Sequence, residues 1–87
     1  MSVPLAVKYT KSAEKYLDKL DKVTRERVVA KISDVANDPE NPRHSLPLTA
    51  SNKRKARVGK YRILLLIVES VLLVVEIDSR GQIYRTL

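Results

Sequence analysis

Six cations fall within ten residues of this chain: Lys53, Arg54, Lys55, Arg57, Lys60 and Arg62. The next six residues, ILLLIV over 63–68, carry no polar side chain. Cations packed this closely repel one another, so the stretch is suited to holding an anion. In an extended strand side chains alternate, which puts Lys53, Lys55 and Arg57 on one face at spacings of about 6.6–7 Å. Such a ridge can follow a nucleic-acid backbone, because phosphate contacts supply most non-specific affinity. Lysines also protect exposed strand edges from aggregation, but that task needs fewer charges than are present here. Arg54 shares the parity of Ala56 and Val58, which should face inward, and is expected to escape to solvent at the strand end. Arg62 stands where the apolar run begins. A half-buried guanidinium there needs an anionic partner. Glu76 and Asp78 are the internal candidates and a phosphate the external one, and the hairpin register decides between them.

Composition narrows the function classes. The 87 residues are enough for one domain, 1–87, with an aliphatic core, since Phe and Trp are absent. Without Cys there is no disulfide and no thiolate chemistry. With His44 as the only imidazole, a metal site is not expected, and no cofactor is implied. The longest apolar run is six residues, short of a membrane span. Residues 1–9 lack the pattern of a signal peptide, so a soluble cytoplasmic protein is the expectation. Charge is uneven. Residues 1–44 hold nine Lys/Arg against seven Asp/Glu, whereas 45–87 hold eight against three. The second half therefore carries the cationic excess, which points to an anionic partner such as nucleic acid or an acidic peptide.

The elements that must position the cations are legible from periodicity. VPLAVKY (3–9) alternates as a strand, and Thr10 can cap the helix that follows. Ala13, Tyr16, Leu17 and Leu20 line one helical face. After a break at Asp21-Lys22, a second helix runs to about Asn37 with Val28, Val29, Ile32, Val35 and Ala36 inside. The short break implies an antiparallel helical hairpin. Residues 37–52 contain Pro39, Pro42 and Pro47 and read as a long loop, pinned to the core by Leu46 and Leu48. His44 reads as an exposed loop residue. Strands follow over 53–58, 60–68 and 71–78, with a short last one over 82–87. The result is an α+β fold: an N-terminal strand, a helical hairpin, then three to four strands in a mostly antiparallel sheet with the helices on one face. The middle strands are apolar on both faces, so the uncovered face must be partly shielded or form a pocket.

These motifs resemble the RelE/ParE toxin superfamily. RVGKYR (57–62) ahead of an apolar strand is similar to that family's R-x-G-x-Y-R core, and IDSRGQIYR (77–85) to its closing motif. The N-terminal strand, the helix pair and LPL (46–48) match in order, so the resemblance covers nearly the whole chain. Two departures stand out. Many members run on past the terminal Tyr, and Gln82 stands where some relatives have a second Arg, which weakens the case for catalysis rather than for the fold.

The resemblance implies a toxin paired with a cognate antitoxin, touching operator DNA only through that antitoxin. RelE-like members cut mRNA in the ribosomal A site without a metal and so inhibit translation. ParE-like members instead poison DNA gyrase. Carried over residue by residue, the functional set falls on Lys53, Lys55, Arg57, Arg62, Arg80 and Tyr84. Arg62, Arg80, Tyr84 and Lys55 are assigned to catalysis; Lys53 and Arg57, with Lys60 beside them, are assigned to RNA binding. The chemistry needs no metal: a 2′-hydroxyl attacks the adjacent phosphate while fixed guanidinium groups stabilise the charge on the phosphoryl oxygens. A lysine set among other cations releases its proton more readily, which suits a general base. Tyr84 can stack on a base. The expectation is therefore a ribosome-dependent endoribonuclease. The alternatives are a gyrase inhibitor of the same fold, or an inactive homologue acting as co-repressor with its antitoxin.

Overall fold

The structure, a computed structural model, describes residues 4–48 and 52–79. Arg80, Tyr84 and the strand expected over 82–87 lie outside the described residues. Strand β1 spans Ala6–Tyr9 and ends at Thr10. The Thr10 hydroxyl accepts from the Ala13 N–H at 3.2 Å and donates to the Val75 carbonyl at 2.6 Å. It thereby starts α1 (Lys11–Lys19), which buries Ala13 and Leu17, and ties that helix to the sheet. Asp21 restarts the chain as α2 (Lys22–Asn37), its carboxylate accepting from the Thr24 N–H and hydroxyl. Val28, Ile32, Val35 and Ala36 are buried along α2 as the spacing predicts. Val29 is not; it is 39% exposed, because one residue turns the helix by about 100° and carries it off the inner stripe.

The loop expected over 37–52 contains a two-residue strand, β2 (Leu46–Pro47), antiparallel to β3 (Lys53–Val58). Leu46 does not pin this segment to the core, and is 45% exposed. It lies opposite Lys55, and cross-strand partners share a face, so pairing turns it away from the helices. β4 (Tyr61–Val68) and β5 (Val71–Asp78) complete a sheet of order β1-β5-β4-β3-β2. The β1–β5 pair is parallel and the other pairs are antiparallel. Both helices cover the same face of this mixed sheet and pack chiefly against strands. The α+β class and the helices on one face are thus as expected. The core between the layers joins Val28, Ile32 and Val35 to Ile63, Leu65, Leu72 and Val74. Burying each such side chain contributes about 1.5–3 kcal/mol. No helix among the described residues is long and apolar enough to cross a membrane.

A bulge interrupts the β4–β5 register. Leu64 pairs with Glu76, but Leu65 pairs with Val74, leaving Val75 as the extra residue whose carbonyl takes the Thr10 hydroxyl. Leu64 is 4% exposed although it stands on the face opposite the helices. The uncovered face is therefore shielded at its centre.

Both tight hairpins need a left-handed residue at the first loop position: Gly59 (φ +57°) and Glu69 (φ +55°). Glycine adopts this conformation freely, whereas a residue with a Cβ is strained there by about 1–2 kcal/mol. Glu69→Gly is expected to stabilise the protein by about 1 kcal/mol, read as a higher urea midpoint at unchanged slope. Gly59→Ala should lower stability by a similar amount through the backbone alone, since a Cβ there meets nothing within 4 Å.

Asp21 generates a pH prediction. Its hydrogen bonds from the Thr24 side chain and backbone hold the carboxyl below the ordinary carboxylate range. A depressed folded-state pKa adds stability above the unfolded value, and that stability is lost as pH falls through the folded one. Asp21→Asn keeps a capping oxygen but no charge. Its urea midpoint should therefore fall less steeply than the wild type's below about pH 4.

Candidate nucleic-acid interface

Strand register builds the site. On the face away from the helices, Arg57 lies opposite Arg62, and Arg62 opposite Asp78. In the next row Lys55 lies opposite Leu64, and Leu64 opposite Glu76; one row further, Lys53 lies opposite Leu66. Opposed side chains begin about 4.5–5.5 Å apart at Cβ. Arg57 and Arg62 are thus cross-strand neighbours of like charge, a pairing that disfavours the sheet and that an anion between them relieves. Arg57 Nε donates to the Gly59 carbonyl at 3.0 Å. Arg62 is half-buried, and its side chain forms no hydrogen bond or ion pair among the described residues. Between the two carboxylates considered for Arg62, the register makes Asp78 its direct neighbour and sets Glu76 opposite Leu64 instead.

These strand cations form one wall of a cleft of about 330 Å³. Lys55, Arg57 and Arg62 come from the sheet, Lys31 from α2, and Arg43 and His44 from the turns before β2. No carboxylate among the described residues lines the cleft. Lys31 Nζ donates to the Arg43 carbonyl at 2.9 Å, which fixes the second wall without consuming charge. The donors suit an anion of nucleotide size. A metal would find one imidazole and one hydroxyl among cations, a poor ligand set.

Arg54 is where expectation and structure part. It is 8% exposed rather than solvated. Its Nε donates to Ser45 Oγ at 2.7 Å and an Nη to the Ser45 carbonyl at 3.0 Å. The reason is that β3 is not the sheet's edge at this point. β2 and the turns before it cover Arg54 on the helix side, so the side chain has no route to water. Its parity with Ala56 and Val58 carried the signal; the strand-end argument set against it assumed an open edge.

Of the residues singled out from the sequence, the structure brings Lys55, Arg57 and Arg62 together in the cleft. Lys53 sits further along the same face and does not line it. Lys60 is at the tip of the β3–β4 hairpin, 5.5 Å from the Tyr61 ring centroid, beside a separate depression shared with Asp21 and Arg27. His44, expected as an exposed loop residue, is half-buried and lines the cleft. Lys31 and Arg43 were not singled out. Both reach the cleft only through long-range packing, and no local pattern marks them.

The family model for the ParE toxin of type II toxin–antitoxin systems, parDE, matches residues 7–84. The chain belongs to this family. Solved structures extend the ParE-family likeness across the RelE/ParE superfamily. The chain is 27% identical to a chain of the RelBE2 toxin–antitoxin complex of Mycobacterium tuberculosis, with TM-score 0.71 over 90% of this chain and 100% of that one. For the archaeal RelE–RelB complex of Pyrococcus horikoshii OT3 the values are 24% identity and TM-score 0.74, over 92% and 99% of the two chains. For the intact E. coli RelBE complex they are 18% and 0.74, over 88% and 98%. No curated protein matches the chain by sequence.

The geometry of this ParE-family toxin separates its cations by their effect on a polyanion. Removing a cation that neutralises one phosphate lowers the slope of log affinity against log salt by about one unit. Lys55→Gln, Arg57→Gln and Arg62→Gln are each expected to do so in titrations of single-stranded RNA between 50 and about 200 mM salt. Lys60→Gln should leave the slope close to wild type. If Lys60→Gln flattened it as much as the other three, the cleft would not be the binding surface.

Proposed function

We propose that this toxin is a ribosome-dependent endoribonuclease that cuts mRNA and so arrests translation in the cytoplasm. The observation that carries the reading is the opposed Arg57–Arg62 pair with Lys55 beside it, in a cleft whose charged lining among the described residues is cationic throughout. Cleavage of RNA by its own 2′-hydroxyl moves negative charge onto the phosphoryl oxygens. Donors fixed in place before the reaction stabilise that charge without reorganising. Arg62, rising from a rigid strand with no side-chain hydrogen bond or ion pair among the described residues, takes that role. Arg57 and Lys53 position the strand of RNA, and Lys55 handles a proton at the reacting oxygens. Arg80 and Tyr84 join the catalytic set on the family resemblance alone.

The solved relatives are complexes with RelB antitoxins. A cognate antitoxin, acidic where it meets the cleft, accordingly neutralises this toxin. The ParE name of the matching family favours one second reading, inhibition of DNA gyrase.

A cell-free translation system distinguishes the two. The purified protein should cut mRNA on ribosomes and leave naked RNA largely intact, whereas inhibited supercoiling with intact mRNA would establish the gyrase reading. Arg62→Ala should lower single-turnover cleavage by roughly two to three orders of magnitude, the scale for deleting one preorganised donor, with ribosome binding nearly unchanged. Arg62→Lys should restore little, because an ammonium does not reproduce a bidentate fork. Normal cleavage by Arg62→Ala together with early melting would make Arg62 a structural neighbour of Asp78 instead.

A further inference from the structure

The cleft's second wall is built with more care than a connecting loop requires. Asn41 organises it: its carbonyl accepts from the His44 and Ser45 N–H groups at 3.0 and 3.2 Å, and its side-chain oxygen accepts from the Arg43 N–H at 3.0 Å. The Ser45 hydroxyl donates to the Pro39 carbonyl at 3.3 Å and receives Arg54 from below. Arg54 is a buried cation whose described acceptors are a hydroxyl and a carbonyl, with no carboxylate among them. Charge burial of this kind adds little net stability, and an apolar side chain of similar volume often serves as well. What the guanidinium supplies is geometry, since two donors from one rigid plane fix both the hydroxyl and the carbonyl of the residue next to His44. The side chains of Arg43 and His44 form no hydrogen bond or ion pair among the described residues, and both line the cleft.

We propose that Arg43 and His44 form a second phosphate subsite on the loop wall, held at a fixed distance from the strand cations by the buried Arg54–Ser45 bonds. Its ligand is the phosphodiester next to the one that is cut, so the inference rests on the RNA-cleaving reading and deepens it. Arg54 is a positioning residue that acts through Ser45. Preorganising the wall this way spares the complex the entropy of ordering a loop on binding. The subsite grips ground state and transition state alike, so it governs affinity rather than the rate of the bound complex.

The test is single-turnover cleavage on programmed ribosomes across a range of toxin concentrations, repeated at several salt concentrations. Arg43→Gln, His44→Ala and Ser45→Ala should each raise the half-saturating concentration by about three- to tenfold, with the saturated rate within about twofold of wild type. Arg43→Gln and Ser45→Ala should also lower the salt slope by about one. Arg54→Lys, which keeps the charge but loses the fork, should fall between them and wild type. Ser45→Ala combined with Arg43→Gln should lose no more than Ser45→Ala alone, because releasing the wall already removes the Arg43 contact. Limited trypsin digestion, run well below each variant's melting temperature, should cut after Arg43 faster in Ser45→Ala and Arg54→Lys than in wild type. A folded Arg43→Gln with unchanged half-saturation and salt slope overturns the subsite, and additive losses in the double variant overturn the lock. A wild-type protein that neither binds ribosomes nor cuts RNA overturns the functional reading and the subsite together. The trypsin comparison then still decides whether Arg54 holds the loop.

Discussion

The β3–β4 register is the constraint on which the rest of the molecule depends. Ala56 against Ile63 and Arg54 against Leu65 fill the helix side, and this alone determines that Arg57 meets Arg62 on the other. A slip of one residue in β3 would turn Lys55 and Arg57 into the core, and one in β4 would expose Ile63 and Leu65. Hydrophobic burial therefore enforces an electrostatically unfavourable arrangement. The core residues at stake are each worth more than one exposed like-charge pair costs, about 0.2–1 kcal/mol. The repulsion is thus held in the folded state, where a bound anion would relieve it.

The same logic extends outward from the pair. The bulge at Leu64/Leu65 shifts β5 so that Asp78, rather than an apolar residue, stands beside Arg62. Thr10 locks the bulged carbonyl of Val75 while starting α1, so one hydroxyl couples the helix layer to the strand that carries Asp78. On the opposite flank, Arg54 couples β3 to the turns carrying Arg43 and His44. Two polar anchors therefore transmit the sheet's register to both sides of the cleft. Neither anchor is cationic toward the cleft itself.

Much of this was written in local pattern. The helix from Ala13 to Leu17, the cap at Thr10, and the alternation of Lys53, Lys55 and Arg57 with Arg54, Ala56 and Val58 all follow from periodicity, and each is found in the fold. What escaped was non-local. Leu46 resembles a core anchor until β2 forms and pairs it with Lys55. Arg54 resembles a snorkelling end residue until the turns before β2 close over it. Lys31 is one of four cations on α2 that read as solvated surface, and only packing of α2 beside β3 brings it to the cleft. The partner of Arg62 depended on a bulge, and a Glu-Ser turn is too weak a signal to fix the count of residues across it.

A cleft whose charged residues, among those described, are all cationic has a further consequence for what can share it. Any anion that enters relieves the same Arg57–Arg62 repulsion, whether it is a phosphodiester or a carboxylate. The relief is available once, so two anionic ligands compete even if their remaining contacts lie on different surfaces. Asp78 supplies only part of it, because it stands beside Arg62 and not beside Arg57. On the RNA-cleaving reading proposed above, an inhibitor of this cleft therefore need not copy the shape of RNA. It needs carboxylates that reach between the two guanidinium groups, and an anchor elsewhere to hold them there when salt screens the charges.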